Sequence, residues 1–99
     1  MSADEQAKKL SQQEVDAALQ ELPGWSLEDG MLHKTFEFKN FSEAFAWMTR
    51  VAIEAEKLDH HPDWCNAWNK VHVHLVTHAA DGLTHFDVDL AQKMEALAA

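Results

Sequence analysis

Hydrophobic and polar residues follow two different periods along the chain, and the changes of period mark the predicted elements. Apolar residues recur at helical spacing over 12–21, and Ser11 with Glu14 has the spacing of a capping box. Over 25–39 the period is two, and an Asp-Gly pair separates the two extended runs. That arrangement is a strong hairpin signal, so the first part of the chain predicts a helix followed by two antiparallel strands.

A second helical period covers 43–59, with Ser42 as its candidate N-cap. Phe45, Val51 and Ala55 fall on one apolar arc at 3.6-residue spacing, while the opposite arc is charged. The pattern therefore predicts an amphipathic helix that lays this arc against the rest of the domain.

Two more extended runs and a closing helix complete the chain. The segment 64–78 predicts a second strand pair with a turn around Asn69-Lys70. A third helix is predicted to begin at Thr84, because Asp87 stands three residues later and an apolar stripe follows.

The predicted order of elements is α-β-β-α-β-β-α. Hairpins joined by helices indicate an α+β fold, in which a four-stranded antiparallel sheet carries three helices on one face. We expect a flexible tail over 1–10 and a single domain over 11–99. One sheet face and two strand edges stay uncovered, which favours self-association.

Composition narrows the function classes. The 99 residues suit one domain, and a net charge of −9 argues against nucleic acid or an anionic membrane as a direct partner. No apolar run is long enough to cross a bilayer, and the polar start of the chain does not resemble a signal peptide. With Cys65 as the single cysteine, we expect a cytoplasmic protein.

Seven histidines are a surplus for this length, and two of them follow the second helix. Pro62 disfavours helical geometry just before it, so His60 and His61 lie where the helix stops. Glu56 stands one helical turn before His60, and this spacing predicts that it holds the His60 ring. The pair could cap the helix, bind a metal or transfer protons, and the helix's negative end favours a protonated imidazole suited to general acid catalysis.

A metal site is the second interpretation of the histidines. His72 and His74 share a face of the predicted strand, and His78 follows four residues later, a set that suits zinc. The chain has no HExxH motif and no paired cysteines, so we predict no metal and expect His72 and His74 on a solvated or interface face.

His78 presents a geometric difficulty. Strict alternation along the strand directs it away from the helices, so it can meet His60 only if the alternation fails there or the two residues meet past the end of the strand. Neither His60 nor His78 has the sequence context of a core residue, and we expect both to be replaceable without loss of folding.

The stretches "EKLDHHPDW", "NKVHVHLVTH" and "DGLTHFDVDLA" resemble, in order and spacing, the signature of the pterin-4a-carbinolamine dehydratases. The resemblance runs from about Pro23 to the C-terminus. It implies an α+β fold, assembly as homodimers or homotetramers, and dehydration of 4a-hydroxytetrahydropterin to quinonoid dihydropterin. That reaction recycles the cofactor of the aromatic amino acid hydroxylases, and no cofactor is implied because the pterin is the substrate.

The resemblance also implies a set of site residues. They comprise three catalytic histidines, two supporting carboxylates and a substrate-binding group: His60, His61 and His78; Glu56 and Asp87; Pro62, Thr77, Ala79 and Ala80. Some animal members assist a homeodomain transcription factor in dimerising, so an aromatic amino acid hydroxylase or a transcription factor is a possible protein partner. His74 and His85 lie outside the family's pattern.

Overall fold

The structure is a computed structural model that describes residues 7–99, and it confirms the predicted α+β architecture. A 3-10 turn, His78–Ala80, follows the last strand. The helices and strands are α1 (Gln12–Gln20), β1 (Ser26–Glu28), β2 (Met31–Glu37), α2 (Phe41–Leu58), β3 (Asp63–Ala67), β4 (Lys70–Leu75) and α3 (His85–Ala98).

The four strands form one antiparallel sheet in the order β1-β2-β4-β3. Alternate residues of β2 and β4, among them Leu32, Phe36 and Val73, are buried with apolar residues from all three helices. All three helices therefore cover the same sheet face, and the opposite face presents polar side chains such as His33 and His74.

The helix starts agree with the sequence at two places and differ at one. Ser11 and Glu14 form the predicted capping box of α1. Helix α2, however, begins at Phe41, so the prediction of Ser42 as its N-cap was wrong. The side chain of Asn40 accepts the hydrogen bond from the backbone N–H of Glu43 at 2.9 Å. The extended backbone of Asn40 turns its side chain back onto the first turn, as an N-cap requires.

The buried stripe of α2 shares its second half with the predicted arc and differs from it in the first half. Ala44 and Trp47 are buried together with Val51 and Ala55, whereas Phe45 is exposed, so its predicted inward position was wrong. The Trp47 Nε1–H donates to the carbonyl oxygen of Met94 in α3 at 3.1 Å. This bond satisfies a buried polar group and allows the large ring to lie in the core.

The predicted tail over 1–10 falls largely on residues 1–6, which lie outside the described residues. Leu10 packs partly buried against the core, and its N–H donates to the carbonyl oxygen of Leu83 at 2.8 Å. Within residues 7–99, none of the helices combines the length and the apolar character needed to span a membrane.

Candidate active site

The end of α2 fixes the backbone of the two adjacent histidines. Asp59 adopts the left-handed conformation with φ of 52°, and its N–H donates to the carbonyl oxygen of Glu56. The N–H of His60 donates to the carbonyl oxygen of Ala55 at 3.1 Å. These two bonds form a Schellman motif, so backbone groups cap the helix and the imidazoles are not needed for that purpose.

The imidazole of His60 turns inward to a carboxylate of α3. His60 is 1% exposed, and its Nε2 lies 2.6 Å from Oδ1 of the equally buried Asp87. Because the carboxylate accepts, Nε2 carries the hydrogen. Two predictions were therefore wrong: His60 is a core residue, and its side-chain partner is Asp87 in place of Glu56.

Asp87 is the centre of a buried hydrogen-bond network. Its Oδ2 accepts from the hydroxyl of Thr77 at 2.8 Å and from the N–H of Thr84 at 2.9 Å. The two threonine hydroxyls are 2.8 Å apart. One carboxylate thus completes the capping box of α3 and also holds His60, and Thr77 ties both to the residue that precedes His78.

Glu56 orients the second histidine of the pair. Its Oε1 lies 2.6 Å from Nε2 of His61, and both side chains are exposed to solvent. The imidazole of His61 is thus exposed and held by the carboxylate of Glu56, and solvent or a small molecule can reach it.

His78 reaches the same region from the other side, because β4 ends before it. The strand stops at Leu75, and Thr77 makes an isolated bridge with Gly82, so the prediction of a strand through His78 was wrong. The His78 side chain is 80% exposed, and its Nε2 lies 3.5 Å from Oδ2 of Asp63, a residue that directly follows Pro62.

Two side-chain links therefore connect the segment that carries His60 and His61 with the turn that carries His78. His60 is connected through Asp87 to Thr77, and His78 is connected through Asp63 to the segment that carries His60 and His61. Imidazoles held by carboxylates are suited to donating and accepting protons near neutral pH. Beside them, Pro62 and Ala80 are half-buried and Ala79 is exposed.

The family model described as pterin 4 alpha carbinolamine dehydratase matches residues 8–97. The chain belongs to this family. Relatives from Chelativorans sp. (strain BNC1) and Rhodopseudomonas palustris (strain BisB18), both provisionally named pterin-4-alpha-carbinolamine dehydratase, are 51% and 52% identical over 94 residues. These alignments cover 93% of this chain and 96% and 93% of the two relatives.

A solved structure agrees with this family membership. The crystal structure of the transcriptional coactivator/pterin dehydratase from Brucella melitensis superimposes with a TM-score of 0.90 at 45% identity. The match covers 93% of this chain and all of that chain (100%).

Sequence reasoning missed two residues that hold the candidate site of this dehydratase-family chain. Asp63 was not singled out, although its position directly after Pro62 places it on the same segment as the histidine pair. Thr84 was predicted only to start α3 together with Asp87, yet its hydroxyl also lies 2.8 Å from that of Thr77. The contacts of Asp63 with His78 and of Thr84 with Thr77 both depend on how the chain turns after β4, which local spacing does not reveal.

The structure does not bring His72, His74 and His78 together as one group of metal ligands. Nδ1 of His72 lies 2.9 Å from the hydroxyl of Thr35, and His78 pairs with Asp63. Among residues 7–99, the group of three potential ligands that the structure brings together is Glu28, His33 and His74.

Proposed function

We propose that this protein dehydrates 4a-hydroxytetrahydropterin (pterin-4a-carbinolamine) to quinonoid dihydropterin and water by histidine general acid/base catalysis. Family membership supports the substrate class. The observation that carries the proposal is the buried chain of hydrogen bonds from His60 through Asp87 to Thr77. These hydrogen bonds connect the histidine pair after α2 with the turn that bears His78.

The proposed reaction needs one proton donor and one proton acceptor. The donor protonates the hydroxyl on C4a, and the C4a–O bond breaks to release water. The lone pair of N5 forms the C4a=N5 double bond, and the acceptor removes the proton from N5. Substrate and product differ only by water, so the balance requires no oxidant or reductant.

Differences in exposure support different proposed roles for the three histidines. The exposed rings of His61 and His78 can contact a bound pterin, and we assign them the two proton transfers. His60, buried against Asp87, acts as a positioning residue for the wall of the site, and Glu56 orients His61. Pro62, Ala79 and Ala80 stay proposed substrate-binding positions, whereas Thr77 is fully buried and supports the site from behind through Asp87.

The test is the dehydration rate of the untagged protein, followed by the absorbance of the quinonoid product against the rate in buffer. One acid/base group contributes about 100- to 10,000-fold, so His61→Ala and His78→Ala should each lose a factor in that range. His85→Ala is the matched control, because His85 is also exposed beside a carboxylate, that of Asp89 at 3.2 Å. A wild-type rate equal to that in buffer would refute the proposal.

We further propose that the activity recycles the pterin cofactor of an aromatic amino acid hydroxylase in the cytoplasm. We also propose that the chain works as a homodimer or homotetramer. The uncovered sheet edges β1 and β3 and exposed apolar residues on α2 support assembly.

A second candidate function is binding to a transcription factor. The name of the Brucella melitensis structure, transcriptional coactivator/pterin dehydratase, favours it. The enzyme assay separates the two candidates: a protein that binds such a partner but does not accelerate dehydration would be a binding module.

A further inference from the structure

A histidine cluster lies on the polar face of the sheet, and none of its residues belongs to the candidate active site. His33 in β2 and His74 in β4 are directly opposite in the strand register, and their rings stack with centroids 4.4 Å apart. Glu28, at the end of β1, lies between their outer nitrogens. Its Oε1 is 3.0 Å from Nε2 of His74, and its Oε2 is 3.7 Å from Nε2 of His33.

The backbone fixes the tautomer of one of these rings. Nδ1 of His33 lies 3.0 Å from the carbonyl oxygen of Val73. A carbonyl oxygen can only accept, so Nδ1 carries the hydrogen, and the neutral ring presents the lone pair of Nε2 toward Glu28. Histidines that bind metals are held in this way, with one nitrogen bonded to a carbonyl or carboxylate and the other on the metal.

The carboxylate of Glu28 faces both rings. Nε2 of His74 now lies 3.0 Å from Oε1 of Glu28 and donates its hydrogen to that oxygen. A zinc ion bound there would displace this hydrogen, so that Nε2 of His74 and the carboxylate both become ligands and one proton is released.

The spacing of the three groups is close to that of a tetrahedral site. Nitrogen and oxygen ligands at about 2.0–2.2 Å from zinc are roughly 3.3 Å apart from one another. One ligand atom from each of Glu28, His33 and His74 lies within 4.8 Å of the other two. The two carboxylate oxygens of Glu28 each face one ring, Oε1 at 3.0 Å from Nε2 of His74 and Oε2 at 3.7 Å from Nε2 of His33. Small rotations of these partly exposed side chains would close the site around an ion.

We propose that Glu28, His33 and His74 form a zinc-binding site on the open face of the sheet. Two imidazoles and one carboxylate are a ligand set that Zn²⁺ accepts, with water at the fourth position. His74 lies opposite Asp63 in the strand register, and Asp63 holds His78, so the site adjoins the candidate active site. None of the three ligands has a proposed role in dehydration, so zinc affinity and dehydration can be lost independently of each other.

The experiment is a calorimetric titration of untagged, chelator-treated protein with zinc chloride. We expect one zinc per chain, and loss of at least about tenfold in affinity for each of His33→Ala, His74→Ala and Glu28→Gln, since even outer-shell partners typically cost 10- to 100-fold. His72→Ala is the matched control, because His72 lies on the same strand and face but bonds to Thr35. Cys65→Ser, opposite His72 in the register, controls for a thiolate ligand.

Nitrogen NMR of the histidine rings gives a readout that depends on no variant. Zinc should shift Nε2 of His33 and His74 in the wild-type protein and leave His72 unchanged. Absence of zinc binding, a loss of affinity that follows His72→Ala or His78→Ala, or binding that survives all three ligand variants would overturn the proposal. Thermal unfolding of each metal-free variant verifies that the fold is intact.

Discussion

His60 and His61 are adjacent residues in opposite environments, and one backbone feature separates them. Asp59, in the left-handed conformation, ends the helix and redirects the chain, so the i, i+4 relation no longer applies beyond it. His60 then points inward to Asp87, and His61 takes the place beside Glu56 that helical spacing assigns to His60. The sequence, through the family resemblance, identified His60, His61, Glu56 and Asp87 as a group, but it could not show which histidine bonds to which carboxylate.

Burial changes the expected effect of replacing His60. In His60→Ala, Asp87 would keep its bonds to Thr77 and Thr84 but lose the bond to the imidazole inside the core. Breaking a buried pair in this way costs about 3–5 kcal/mol, so urea denaturation should show a loss of that size together with lower turnover.

His78→Ala is the contrasting variant for this measurement. Its side chain is largely exposed, so the free energy of unfolding should change by no more than about 0.5 kcal/mol while turnover falls. If His60→Ala unfolds at the same urea concentration as the wild type, the buried pair does not stabilise the domain as described.

At the scale of elements, local signals predicted starts and turns better than they predicted ends and faces. The capping box at Ser11 and the start of α3 at Thr84 depend on residues three apart, and both were confirmed. The buried position of Trp47 depends on Met94, 47 residues away. Strand β4 ends at Leu75, and Thr77 then pairs with Gly82 outside the sheet. Contacts of that kind are set by packing, which the period of a single segment does not contain.

The capping box of α1 predicts a pH dependence of stability. The hydrogen bond from the backbone N–H of Ser11 is the main cause that lowers the pKa of Glu14 below its ordinary 4.5. A lowered pKa in the folded state means that the stabilisation is present above pH 4.5 and is lost as the pH falls through the folded value. The difference in unfolding free energy between wild type and Glu14→Gln should therefore be largest near neutral pH and shrink in acid.

Glu21→Gln is the control for this pH series. Glu21 caps the other end of α1 through its backbone, and its replacement removes the same charge. A difference for Glu14→Gln that stays constant with pH, or one that Glu21→Gln reproduces, would contradict the role given to the capping box.

At the scale of the whole molecule, the order of the strands determines which histidines meet. β2 and β4 are neighbours although α2 and β3 separate them along the chain, and this pairing places His33 opposite His74. The strand types followed from the sequence, but their order did not, because every antiparallel arrangement of four such strands satisfies the same local periods. The candidate active site was more accessible to prediction, since a family resemblance supplied residues that spacing alone left as alternatives.

The exposed apolar surface of α2 predicts where two copies of the protein associate. Phe41, Phe45 and Ile53 form an exposed apolar row along α2, because they are four and eight residues apart on a helix. Covering such a row with a second copy removes apolar surface from water, so Phe45→Glu should reduce the assembly to smaller species in sedimentation velocity. Trp68→Glu is the matched control, since Trp68 is also a large exposed ring but lies in the turn between β3 and β4. If Phe45→Glu assembles like the wild type, the apolar row on α2 is not the interface, and the uncovered strand edges become the expected route of association.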